Sequence, residues 1–111
     1  MTEIVPEAKI HAAVKYMAET DIPLAKAKAK FERLNDFTKS VLGLEYGANK
    51  SSMGSEESKQ AAYASQDYRD HLDRVFAARV AFEEMRNKRE TAKYMIEVWR
   101  STNANRRQGN I

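Results

Sequence analysis

The chain has 111 residues, 42% of them hydrophobic and 32% charged, which describes one small folded domain rather than two sizeable cores. It has no cysteine, so disulfides, thiolate metal sites and cysteine nucleophiles are excluded, and four glycines with two prolines are too few turn signals for an all-β chain. The formal charge of +3 permits an acidic partner without requiring one. No run of about 18 apolar residues is present to cross a membrane. The first residues lack the basic-then-apolar pattern of a secretory signal, so a cytoplasmic protein is expected.

Three helices are predicted in chain order. The first covers about 6–19. Pro6 suits a first turn, where its missing N–H costs nothing, and Ile10, Ala13, Val14 and Met17 repeat on one apolar face. The segment Thr20-Asp21-Ile22-Pro23 interrupts this pattern, with Asp21 as a plausible N-cap for the next helix.

The second helix is expected over about 22–46. Its seam is Leu24, Ala27, Phe31, Leu34, Thr38 and Val41, with Phe37, Leu42 and Leu44 widening the stripe. Residues 47–54, rich in glycine and serine, read as a flexible loop.

The third helix, about 56–101, dominates. Ser55 can cap it, and Glu56 and Glu57 favour its positive end. A seven-residue repeat runs through Ala61, Tyr68, Val75, Phe82, Arg89 and Ile96, with a second through Ala64, His71, Ala78, Met85, Ala92 and Trp99. A period near 3.5 means packing against another helix. Ser65 could cap a restart near Ala64–Asp67, and 103–111 form a polar tail. The expected fold is therefore all-α: one domain, 1–111, built as a long antiparallel helical hairpin, coiled-coil-like, with a short N-terminal helix. So thin a hairpin buries little apolar area per residue, which favours a homo-oligomer, although the first helix could instead fold back over the unpaired end.

Residues 69–111 carry ten basic and six acidic side chains, and the start of the second helix is also basic. An antiparallel hairpin would bring both stretches toward its open end. Lys26, Lys30, Arg33, Arg86, Lys93, Arg100, Arg106 and Arg107 then form a candidate phosphate-binding surface, with Tyr94 as a stacking partner. Ordinary solvated helix faces would carry the same residues, and a helix C-terminus attracts cations by its dipole. Trp99 lies on the apolar seam, so core packing accounts for it.

Catalytic motifs are missing: no Gly-rich phosphate loop, no GxSxG and no HExxH. His11 reads as solvated and His71 as an interhelical histidine with a hydrogen-bond partner. Asp67 and His71 at i, i+4, with Asp70 nearby, fall short of the four ligands of structural zinc. Glu83 and Glu84 are adjacent on a helix and diverge. Arg89 on the seam requires an acid on the first helix or another subunit, or must reach solvent. No enzyme, metal or cofactor is expected.

The ending Ile96-Glu97-Val98-Trp99-Arg100-Ser101-Thr102-Asn103-Ala104-Asn105-Arg106-Arg107-Gln108-Gly109-Asn110-Ile111, with the central Ala61-Ala62-Tyr63-Ala64-Ser65, resembles a family of small helical proteins of temperate bacteriophages. The resemblance implies a setting among early gene clusters for DNA recombination and replication, without a settled activity. Together with the basic residues it makes a sequence-independent DNA-binding accessory protein the expected function. The alternative is a protein–protein module, an adaptor or inhibitor of a phage or host enzyme, without DNA contact.

Overall fold

A computed structural model describes residues 5–50, 54–107 and 109. They are all-α, with four helices and no strand: α1 (Glu7–Asp36), α2 (Thr38–Lys50), α3 (Ser55–Ala64) and α4 (Gln66–Arg107). Among them, no helix is long and apolar enough to cross a membrane. The chain divides into two units, Met1–Ala25 with Glu83–Ile111, and Lys26–Phe82.

The separate short N-terminal helix is corrected. α1 runs unbroken through Thr20–Pro23, with Pro23 inside it. Proline has no N–H to give the Glu19 carbonyl, a loss normally large enough to break a helix. Glu19 and Pro23 are exposed, so water can reach that carbonyl. Pro6 stands just before α1, and its carbonyl accepts from the Lys9 and Ile10 amides at 2.9 and 3.3 Å. The expected boundary at 46 also shifts. α1 yields to α2 at Phe37, yet Phe37 N donates to Arg33 O and Val41 N to Phe37 O, so the bonding rhythm crosses the junction.

The predicted loop 47–54 is shorter than expected. Residues 47–50 are helical, 51–53 lie outside the described residues, and the non-helical Gly54 precedes α3. Gly54, rather than Ser55, is the N-cap, with no side-chain capping bond. The helix restart at Ser65 is present. Ser65 leaves helical geometry at φ −64°, ψ 148°; its hydroxyl bonds to Ala62 O at 2.9 Å and accepts from Tyr68 N at 3.1 Å. One residue thus closes α3 and caps α4. The polar tail is corrected too: α4 continues to Arg107, and Gly109 follows at φ 73° with its amide on Arg106 O. A positive φ just past a helix end is a position that glycine fills without steric cost.

Within Lys26–Phe82 the helices form an antiparallel hairpin. Phe31 stacks on Phe82 with centroids 6.2 Å apart, Thr38 meets His71, and Lys39–Tyr46 face Lys59–Tyr63. Numbers rise along one strand of the pairing as they fall along the other. Within Met1–Ala25 and Glu83–Ile111 the order is the same: Lys9–Tyr16 share a groove with Lys88–Met95, and Met17 and Thr20 meet Arg89.

Both predicted seams point inward. Leu24, Ala27, Phe31, Leu34, Thr38 and Val41 are all half-buried, and His71, Ala78 and Ala92 are buried. Ala64 is exposed because the Ser65 break resets the helix phase, and Ser58 and Ala62, one turn apart, take the inward face of α3. Among the described residues the buried apolar side chains are Ile10, Ala13, Ala62, Ala78 and Ala92. Four of these five are alanines, so the core is shallow.

Candidate nucleic-acid interface

The nine predicted site residues divide between the two units. Lys26, Lys30 and Arg33 are exposed on the Lys26–Phe82 unit. Lys30 borders a cavity of about 300 Å³ with Ala27, Leu34, Arg74 and Ala78. Arg33 lies over the Phe37 ring at 5.8 Å from its centroid, a cation–π contact.

Arg86, Lys93, Tyr94, Arg100, Arg106 and Arg107 belong to the other unit and are exposed. Arg86 hydrogen-bonds to Glu83. Arg86, Lys93, Arg100 and Arg107 follow one another at seven-residue steps along α4. Seven residues are nearly two full turns, so these cations share one side of the helix over about 31 Å. Glu90 and Glu97 interleave with them at three- and four-residue spacing, leaving the row net positive. The spacing was present in the sequence, masked there by the apolar repeats of equal period.

Arg100, Arg106 and Arg107 border an open depression along the end of α4, with Trp99, Asn103 and Glu97. Trp99 is half-buried, as its seam position requires, and Tyr94, off the seam, is 68% exposed. The arginines of the last turn also complement the negative end of the helix dipole.

His11 is exposed beside Glu7 at 3.6 Å. His71 is buried, with Nε2 3.1 Å from the Thr38 hydroxyl, the interhelical partner expected for it. Asp67 turns to Glu45, whose carboxyl is held above its ordinary range by the Asp67 hydrogen bond, by burial and by the Asp67 charge. Asp70 accepts from Gln66 at 2.7 Å. Among the described residues no three of His, Asp and Glu gather as metal ligands. Arg89 finds its acid on α1: Nη2 is 3.6 Å from Asp21, while Nη1 donates to Met17 O at 2.8 Å and to Thr20 Oγ1 at 2.7 Å. Asp21, expected as an N-cap, is thus a mid-helix partner.

A second grouping escaped the sequence reading. α2 and α3 border an open groove of about 330 Å³ lined by Lys39, Leu42, Gly43, Tyr46, Lys59 and Tyr63. Its residues are distant in sequence, and only the α2–α3 pairing joins them.

The class defined by this fold is an all-α helical-hairpin protein with a basic row on its last helix. No family model matches the chain, and neither the curated proteins nor the solved structures contain a significant match.

Proposed function

We propose that the chain is a non-enzymatic accessory protein of phage DNA recombination or replication, acting in the bacterial cytoplasm and binding nucleic acid without sequence preference. The observation that supports this reading best is the row Arg86, Lys93, Arg100 and Arg107 on one side of α4, which ends beside Arg106 and Trp99. Regularly spaced cations on a rigid helix neutralise phosphates and release counterions, whatever the base sequence. Fluorescence anisotropy with single- and double-stranded DNA at two salt concentrations tests it. Binding that weakens steeply with salt is expected, and no binding at low salt overturns the reading.

A second reading, a protein-interaction module, draws on a different feature. Leu72, Phe76 and Val80 repeat at i, i+4, i+8 on α4 and are 39%, 67% and 36% exposed. An apolar stripe open to water fits a helical partner, either an enzyme of phage or host or a second copy of the chain. A stoichiometric protein complex combined with absent DNA binding favours this reading.

A further inference from the structure

α2 places Lys39, Leu42, Gly43 and Tyr46 on one face by i, i+3, i+4, i+7 spacing, and α3 answers with Lys59 and Tyr63 at i, i+4. The two faces border an open groove of about 330 Å³, within the size range of small-ligand pockets. Tyr63 is 58% exposed and is held edge-on by Tyr68, with centroids 5.7 Å apart and planes at 87°. One turn beyond Tyr46, the Lys50 ammonium lies 5.7 Å from its ring centroid. A Cβ added at Gly43 would meet nothing within 4 Å, so the wall is open there. Two lysines, Lys39 and Lys59, thus line the groove with two tyrosines, and Lys50 stands beside it over Tyr46. The carboxylate on the same side of α3 is Glu56, three residues before Lys59, and Glu45, next to Tyr46 on α2, faces Asp67.

We propose that this groove binds a nucleobase with its attached phosphate, an unpaired base of a single strand or a free nucleotide. The inference rests on the reading that the chain meets nucleic acid, and it adds a site distinct from the α4 row. Every base offers a π-face to an exposed tyrosine, whatever its identity, and the ammonium groups meet the phosphates on either side. A purely apolar ligand would leave the two lining lysines unused, and an acidic peptide would leave the rings unused. Duplex DNA keeps its bases stacked inside, so this groove discriminates single strands from duplex.

The test is anisotropy of the full chain with a labelled 20-nucleotide single strand and with a duplex, comparing native protein with Tyr63→Ala, Tyr63→Phe and Lys59→Gln. Circular dichroism confirms the helix content of each variant. Tyr63→Ala should weaken single-strand binding about tenfold, the scale of one lost base stack, and leave duplex binding unchanged. Tyr63→Phe should bind within about twofold of native, because the ring is kept. Lys59→Gln, which keeps both rings, should weaken single-strand binding and flatten its salt dependence. Displacement of the strand by millimolar adenosine monophosphate assigns the site to free nucleotides; retention of the strand assigns it to polymer. If native protein binds the single strand and folded Tyr63→Ala binds it equally well, the groove site is overturned while the α4 reading survives. If native protein binds neither strand form, both fall. An equal loss on duplex and single strand also overturns it, since paired bases cannot stack there.

Discussion

Arg89 Nη1 donates to Thr20 Oγ1 at 2.7 Å, joining α4 to α1 across 69 residues of sequence. Thr20 Oγ1 in turn donates to Tyr16 O at 2.6 Å, and Arg89 also holds Met17 O, so one guanidinium grips the turn of α1 just before Pro23. Arg89→Ala should destabilise the protein by about 2–3 kcal/mol, because charge-assisted bonds and the packing of the arginine stem are lost together. Arg89→Met should cost clearly less, since it refills the seam. Asp21→Asn should change stability by less than about 0.5 kcal/mol, because that carboxylate is 80% exposed. Urea denaturation of the three variants measures this order.

Ser58 Oγ is buried with no hydrogen-bond partner among the described residues. A buried hydroxyl without a partner costs its desolvation. Ser58→Ala should therefore raise stability by about 1 kcal/mol, read as a higher urea midpoint with an unchanged slope.

Glu45 carries a raised pKa because of Asp67. A carboxyl whose folded pKa lies above its unfolded value adds stability below the unfolded pKa, and this is lost as pH rises through the folded pKa. At neutral pH the pair therefore opposes folding. Glu45→Gln should raise Tm at pH 7, with the gain shrinking toward pH 4. Melting curves at both pH values check the sign.

The α4 row predicts a count. Arg100→Gln should lower the slope of log affinity against log salt by about 1 on duplex DNA, equally for unrelated sequences. A loss confined to one sequence would point to base reading instead.

The stripe of Leu72, Phe76 and Val80, set beside a core made mostly of alanines, predicts self-association. Sedimentation velocity should show a species larger than the monomer that grows with concentration. Phe76→Glu should dissociate it without loss of helix at low concentration, since Phe76 is 67% exposed in the single chain.

The inward faces were legible because helical packing repeats. The steps of three and four from Leu24 to Val41, and of seven from Tyr68 to Trp99, mark half-buried or buried positions. Ser65 was legible through its capping chemistry. Pro23 misled because local propensity argues for a break, whereas the grip of Arg89 on the preceding turn comes from the opposite end of the chain. Lys26, Lys30 and Arg33 share a face as their spacing requires, and the other six site residues belong to the second unit. Tyr46 and Tyr63 went unnoticed because each is an ordinary amphipathic-helix residue until α2 and α3 pair.

The double role of Ser65 makes it a phase reset. The rhythm of α4 starts afresh there, so length changes in residues upstream do not propagate into the spacing of Arg86, Lys93, Arg100 and Arg107. Deleting Ser65 would remove the extended backbone step at φ −64°, ψ 148° together with the hydroxyl that holds Ala62 O and Tyr68 N, so α3 and α4 would lose the offset that lets each keep its own inward face.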